Sequence, residues 1–347
     1  MQDRHAQAAL LSYPFEPPGI GDYVEIAPGV LWMRLPLPMA LDHVNLYAFD
    51  EGESWTLIDA GMRWPKGRSA FENLLKSALG GKPVSRLICT HHHPDHVGFA
   101  GELVRDGAEL FMTRVAWLTA RMLTLDEQAE YPAETLRFYQ RAGMADDVLS
   151  RRKTERPFNF ADVVAPLPLG FTRLSDGDVI RFGGRDWDVR LGSGHAPDHA
   201  TFWSREDALV VTGDQILPGI SPNIGVYPTE PEADPVAEWL ASCEKLKDGA
   251  RAEHLALPGH KRPFRGLELR LTQLIENHHG VLGRLRTRLK DPATAAETFG
   301  AIFKREIGAG EYGLALVEAY AHCQHLYHLG QATRALDDRG AWRYAAV

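Results

Sequence analysis

Cysteine is scarce, three in 347 residues, and Cys89, Cys243 and Cys323 have neither an even count nor a metal-ligand spacing. That excludes a disulfide-stapled secreted scaffold and a thiolate zinc knot. The expectation is three reduced, mostly buried thiols in a cytoplasmic protein. Long apolar runs are missing as well. Nowhere do about 18 apolar residues follow one another, so no membrane-spanning helix is expected. Met1 to Gly19 carries Arg4 and His5 but no apolar stretch of signal-peptide length, which reads as a soluble, unexported chain without a membrane partner. Nor is there an excess of positive charge: 38 Lys plus Arg face 46 Asp plus Glu, a formal net charge of −8. Residues 266–347 hold ten basic against nine acidic side chains, so the deficit lies in the preceding 265 residues. An acidic surface weakens attraction to phosphate backbones without excluding a local basic groove.

What the chain does have is histidine concentrated in one place. Thr90-His91-His92-His93-Pro94-Asp95-His96 follows directly on the apolar run Leu87-Ile88-Cys89. In extended backbone His91 and His93 point to the same side and can grip one metal, while the turn through Asp95 and His96 offers a carboxylate and an imidazole to a second. A binuclear site needs about seven protein ligands if positions are to stay open for water and substrate. Three more candidates are His195 in Gly192-Ser193-Gly194-His195, Asp214 after Leu209-Val210-Val211-Thr212-Gly213, and His260 after Leu255-Ala256-Leu257-Pro258-Gly259. Each stands where an apolar strand ends in a small-residue turn, the place where an α/β sheet presents its chemistry.

With Leu57-Ile58-Asp59-Ala60-Gly61, the His-rich segment, Gly194-His195, Gly213-Asp214 and Pro258-Gly259-His260, the sequence resembles the metallo-β-lactamase superfamily of hydrolases over roughly residues 24 to 265. The resemblance implies that His91, His93 and His195 hold one metal ion, that Asp95, His96 and His260 hold another, and that Asp214 bridges them. It makes Asp59 a residue that orients a ligand, and gives His92 and His199, beside the ligands, supporting roles. The cofactors implied are two divalent ions, zinc for preference, with iron or manganese suiting the same donors. Two ions sharing Asp214 would lower the pKa of a bridging water toward neutrality, so that hydroxide attacks without a Ser or Cys nucleophile. One ion would steady the oxyanion and the other the departing group, with Asp95 guiding protons. Members that open β-lactams usually carry Cys or Ser where Asp214 stands. The resemblance therefore implies hydrolysis of a small thioester, ester or lactone carbonyl, as in the glyoxalase-II-like thioesterases and the lactonases. Metal-dependent cleavage of RNA or another phosphodiester is the alternative, and a β-lactamase or a non-catalytic binding protein comes behind it.

The predicted fold class is α/β. Short β-rich runs over Val30 to Leu35, Val44 to Phe49 and Trp55 to Asp59 read as an antiparallel sheet. A helix from Gly67 to Leu79 leads to a buried strand from Val84 to Thr90, and another helix is expected beyond His96. The half carrying His195, Asp214 and His260 is read as repeating this alternation. Two mixed sheets packed face to face with helices outside follow, the four-layer αββα sandwich of the superfamily. The division expected is an N-terminal extension, 1–23, a catalytic domain, 24–265, with a helical insertion at about 115–162, and a C-terminal helical domain, 266–347. In the last, helices are predicted over Leu267 to Leu289, Ala293 to Glu306 and Gly313 to Leu329, then a β-hairpin turning at Asp337-Asp338-Arg339-Gly340. This order resembles the winged-helix appendage of members typified by the RNA-cleaving mitochondrial β-lactamase-like protein 2. Such an appendage binds nucleic acid or serves as packing or a homodimer surface, and packing is preferred.

Substrate contacts are sought in three places. In the insertion, Trp117, Tyr131, Phe138 and Tyr139 either pack down or roof the metals and select an apolar substrate. The segment Ile216 to Tyr227, with Pro218, Gly219, Pro222 and Gly225, cannot be regular helix and is read as a pocket wall, with Asn223 and Tyr227 as contacts. Lys261 and Arg262, next to His260, could reach a substrate carboxylate or phosphate. His322, His325 and His328 recur at a three-residue step but lack a carboxylate pattern in sequence, so a partly buried helix face is expected rather than a third metal. Arg284, Arg286, Arg288 and Lys290 are read as a solvated face.

Overall fold

A computed structural model describes residues 11–347, so the first ten residues of the expected extension 1–23 lie outside it. The chain divides into two compact units, one made of residues up to Glu127, Asn159–Pro222 and Leu246–Leu271, the other of Gln128–Phe158, Asn223–Lys245 and Thr272–Val347. Most of the sequence-defined insertion thus belongs with the C-terminal residues.

The first unit is a mixed α/β sandwich of two large sheets. One sheet has the order β1 (Tyr23–Ala27), β2 (Val30–Pro36), β3 (His43–Asp50), β4 (Trp55–Ile58), β5 (Val84–Ile88), β6 (Glu109–Thr113) and β7 (Thr172–Leu174). It is antiparallel up to β4 and parallel from there. The other holds β8 (Val179–Phe182), β9 (Arg185–Gly192), β10 (His199–Ser204), β11 (Leu209–Gly213), β12 (Leu255–Pro258) and β13 (Phe264–Arg265) in consecutive order. Here the predicted alternation of strand and helix gives way to an antiparallel meander, and only β11 and β12 run parallel.

Side chains of a strand alternate between faces, and β2 and β3 use both. Leu31, Met33 and Leu35 with Val44, Leu46 and Ala48 pack on Phe71 and Leu74 of the helix Pro65–Ser77. Val30 and Trp32 with Tyr47 and Phe49 pack on Trp187, Val189, Phe202 and Leu257 of the facing sheet. A core of this size drives the sandwich together. The helix expected beyond His96 is Ala100–Arg105, and a one-turn helix, Pro94–Val97, precedes it, starting at a proline because that residue has no N–H to lose at the first helical position. Cys89, Cys243 and Cys323 are all buried, as expected. Among the described residues no helix is long and apolar enough to cross a membrane.

The second unit contains the helices Ala133–Arg141, Asp146–Arg152 and Tyr312–His328, most of Pro235–Lys247 and Leu267–Arg288, and a hairpin of β14 (Ala332–Leu336) and β15 (Trp342–Ala346). The hairpin turns where predicted, Asp337 O accepting from Gly340 N at 2.9 Å. The helix expected over Ala293 to Glu306 is broken instead. Ala293 pairs with Tyr344 as an isolated bridge, Glu297 folds back to accept from Thr294 N, and only Phe299–Phe303 is α-helical before Lys304 turns left-handed. Tyr312–His328 is buried along most of its length. His325 pairs with Asp234 at 2.9 Å and His328 approaches the same carboxylate at 3.7 Å, and this group is not among the candidate metal clusters of the described residues. Within this helix Glu318 is half-buried, with Asn223 Nδ2 donating to its carboxyl at 2.7 Å. Burial raises its pKa to about 8, against the opposing pull of Asn223 and Arg305.

A carboxyl that keeps its proton in the native state up to about 8, against 4.5 for an ordinary glutamate, contributes stability below the lower value that is lost as pH rises through the higher one. Glu318→Gln should therefore flatten the fall in melting temperature on going from about pH 6 to pH 9. A variant whose melting profile stays as steep as the wild type's would rule this out.

Candidate metal centre

Parallel neighbours end side by side, and that brings the site together. β4 and β5 deliver Asp59 and the segment 90–96 to one edge, while β11 and β12 deliver Asp214 and the turn 258–261 to the facing edge. The loop between β9 and β10 adds His195. Backbone bonds join the edges: Ala200 N donates to Thr90 O at 2.8 Å, and Asn45 N donates to Gly259 O at 2.7 Å.

The donor atoms form two trios with no residue in common, linked by a third group of His91, His96 and Asp214. His91, His93 and His195 make one, Asp95, His96 and His260 the other, and within each the atoms lie within 4.8 Å of one another. His91 Nε2 is 2.9 Å from His93 Nδ1, which is 3.0 Å from His195 Nε2. In the second trio Asp95 Oδ2 is 3.5 Å from His96 Nε2 and 3.3 Å from His260 Nε2. Asp214 stands between them. Its Oδ2 is 3.5 Å from His195 Nε2, 3.5 Å from His96 Nε2 and 3.1 Å from His260 Nε2.

Each ring is aimed by what holds its other nitrogen. Asp59 Oδ2 accepts from His96 Nδ1 at 2.8 Å while its Oδ1 accepts from Thr90 N at 2.7 Å. Asp59 itself is left-handed, at φ 62°. Thr90 Oγ1 lies 3.0 Å from His91 Nδ1. His260 Nδ1 donates to His43 O at 2.8 Å. His199 Nε2 accepts from Asp214 N at 3.1 Å, and its ring stacks on His91 at 4.6 Å. His92 is buried with its ring 4.5 Å from that of His93, and burial takes its pKa down to about 3.

Electrostatics separates the trios. Burial and then the neighbouring imidazoles push His91 and His93 well below the usual histidine range, so both are neutral lone-pair donors. Burial acts the same way on His260 and His96, but Asp214 and Asp95 outweigh it, taking His260 up to about 10 and His96 well above its ordinary value. Burial opposes ionisation of Asp214, yet His260 and His96 hold its carboxyl well below the carboxylate range.

These residues fit divalent ions. Three ring nitrogens within 3.0 Å of their neighbours cannot all be satisfied by protons, since each contact accommodates at most one. His96 Nε2 and Asp214 Oδ1 are buried without a hydrogen bond, which is costly unless something else satisfies them. The donors are imidazole and carboxylate, the chemistry of zinc, iron and manganese sites.

The expected substrate contacts are distributed differently. Lys261 sits in the turn itself at φ 68°. Arg262 turns away to Phe15 O at 2.6 Å and Glu16 at 3.0 Å, so its guanidinium is committed to the N-terminal segment. Tyr139, Asn223 and Tyr227 belong to the other unit, where they gather around Glu318. In the first unit a cavity of about 340 Å³, lined by Asp188, Arg190, Trp203, Arg205, Arg251 and His254, includes none of the candidate metal donors. Sequence reasoning missed Thr90, His43, Asn45 and Tyr47. The one available signal was Asn45, a polar residue in the same inward row of β3 as Tyr47 and Phe49.

Fold and donor set together define a metallo-hydrolase with a candidate metal-binding cluster. Comparison with known proteins agrees: residues 39–260 match the metallo-beta-lactamase superfamily, and residues 282–347 match the metallo-beta-lactamase-like C-terminal domain. The chain belongs to the metallo-beta-lactamase superfamily. A beta-lactamase domain protein from Burkholderia ambifaria is 33% identical, with a TM-score of 0.89 over 99% of this chain and 100% of that one. A metallo-beta-lactamase family protein from Thermus thermophilus is 26% identical, with a TM-score of 0.78 over 93% of this chain and 100% of that one. The Bacillus subtilis (strain 168) protein named "Probable metallo-hydrolase YqjP" is 23% identical over 80% of this chain and 87% of its own length.

Gly259 sets the closest approach in the site. A Cβ there would stand 2.2 Å from Asp214 Oδ1 and 2.8 Å from His96 Cε1. Gly259→Ala should therefore lower metal affinity by at least about tenfold, the scale of changes beside a ligand, with little loss of secondary structure. Metal content after dialysis against a chelator, read beside circular dichroism, checks it; wild-type metal retention would contradict the crowding argument.

Proposed function

We propose that this metallo-hydrolase works with two divalent ions, zinc for preference, on a small thioester, ester or lactone. His91, His93 and His195 would hold one ion, Asp95, His96 and His260 the other, and Asp214 would be shared. The observation that carries the reading is the single carboxylate oxygen of Asp214, 3.1 to 3.5 Å from a histidine nitrogen of either trio. When bound, the ions would supply a water acidic enough to ionise near neutral pH and positive charge against the developing oxyanion. The chain's own part is orientation and proton transfer. Asp59 and Thr90 turn the working nitrogens of His96 and His91 inward, and His199 holds the peptide of Asp214. Asp95 Oδ2, 3.3 Å from His260 Nε2, is placed to take up a proton and pass it to the leaving group.

A carbonyl substrate is favoured over RNA by the charge of the C-terminal hairpin. Its Arg334, Arg339 and Arg343 pair with Glu232, Asp146 and Glu297. Cations already matched to carboxylates make a poor phosphate-binding surface. We assign the winged-helix-like C-terminal unit to packing or a dimer surface, and Lys261 to substrate contact.

The deciding assay is turnover of metal-loaded and chelator-treated protein on acyl-coenzyme A thioesters, lactones, a β-lactam and single-stranded RNA. Metal-dependent turnover of a carbonyl substrate with RNA left intact is expected; RNA cleavage alone would overturn the substrate assignment. Asp214→Ala should bind fewer than two ions and lose more than about 100-fold in kcat/KM, beyond the range typical of residues that only support a ligand. Wild-type turnover by that variant would refute the shared-carboxylate mechanism.

A further inference from the structure

The turn that carries His260 is held from the opposite sheet, almost entirely by one strand. β3 meets it with three successive inward groups. Asn45 Nδ2 donates to Pro258 O at 2.8 Å and to Lys261 O at 2.9 Å, while its backbone N donates to Gly259 O at 2.7 Å. Tyr47 Oη donates to Pro258 O at 2.9 Å. His43 O accepts from His260 Nδ1 at 2.8 Å, and His43 Nε2 accepts from Lys261 N at 3.0 Å. Because that nitrogen accepts, the proton of the neutral His43 ring sits on Nδ1, which donates to Asp42 at 2.6 Å.

Asn45 is the centre of this set. It is 1% exposed and lies between His43 and Tyr47 in the inward row of β3. A buried amide is tolerated there only if its groups are bonded, and all of them are: Trp32 Nε1 donates to its Oδ1 at 2.9 Å, and both N–H groups are taken by the turn. The two carbonyls it grips flank His260 on either side. One belongs to Lys261, whose left-handed backbone at φ 68° is unfavourable for a residue with a Cβ and needs to be held. His260 then has one placement, with Nε2 3.1 Å from Asp214 Oδ2 and 3.3 Å from Asp95 Oδ2. His91 and His93 rest on the segment after β5, and His195 on the loop after β9. None of the three touches Asn45.

Resting on the two-ion reading, we propose that Asn45 is a positioning residue for the second ion. It acts through Pro258 and Lys261 to fix His260, and Tyr47 supports it at Pro258. The second ion's site is thereby tied to β3 through Asn45, while the donors of the first, His91 and His93 after β5 and His195 after β9, are held by other contacts.

The test is zinc binding by the full-length protein, titrated in competition with a chromophoric chelator so that two affinities are resolved, with melting of the metal-free protein recorded in parallel. For Asn45→Ala the first affinity should stay within about twofold of wild type and the second should fall by about 10–100-fold. Tyr47→Phe, which removes one of the two side-chain donors to Pro258 O and keeps the ring packing, should weaken the second ion by less than about tenfold and leave the first unchanged. Equal weakening of both ions would mean that Asn45 only stabilises the fold, and an unchanged second affinity would mean that it positions nothing; either overturns the proposal. If Asn45→Ala does not fold, Tyr47→Phe decides alone by the same criteria. A wild-type protein that takes up a single zinc overturns the two-ion reading and the proposal together, and is told apart by needing no variant at all.

Discussion

Crowding of electron-pair donors is the constraint on which this molecule turns. Ring nitrogens at 2.9 and 3.0 Å from one another, two carboxylates and two further imidazoles share one buried edge. Unscreened lone pairs at such spacing repel, and removing carboxylates from water is costly unless positive charge accompanies them. The arrangement is therefore one that a cation stabilises. The architecture around it makes sense as the means of keeping such a cluster from relaxing apart.

That means is the junction of two sheets. A single sheet could place Asp59 and the segment 90–96 together, or Asp214 and the turn 258–261 together, because parallel neighbours end at the same level. Only face-to-face packing sets the two pairs against each other, and the apolar core between Trp32, Tyr47 and Phe49 on one side and Trp187, Phe202 and Leu257 on the other supplies the adhesion. Hydrogen bonds across the junction then convert adhesion into position. Loosely packed sheets would still bury the same residues; they would not hold nitrogen atoms to within the few tenths of an ångström that metal coordination requires.

The C-terminal unit follows different rules. Its hairpin arginines are matched to carboxylates, histidines of its long buried helix lie in the packed face or pair with Asp234, and Glu318 is held where it retains a proton. Tyr139, Asn223 and Tyr227 come from segments far apart from Glu318 in sequence and meet around it. No periodicity could have associated them, because a cluster that takes one or two residues from each of three segments has no pattern within any one of them.

The amino-acid sequence by itself made legible the candidate donors, the strands that carry them and the class of hydrolase. His91, His93, Asp95 and His96 are adjacent in the chain, and His195, Asp214 and His260 each close a short apolar run, so local rules of period and turn composition reach them. It also determined the C-terminal hairpin, whose turn residues are local. Local rules failed where long-range contacts compete with them: Ala293 pairs with Tyr344 and breaks an expected helix, and the grouping of residues 128–158 with the C-terminal residues depends on packing, not on order in the chain. Only the tertiary structure decided which nitrogen of each histidine faces inward, that one oxygen of Asp214 lies within 3.5 Å of histidines of both trios, and that Asn45, read in sequence as part of a core strand, grips the turn of His260. Those are facts about distance between segments that are as much as 217 residues apart, and such distances are set by the packing of two sheets, which no single stretch of sequence contains.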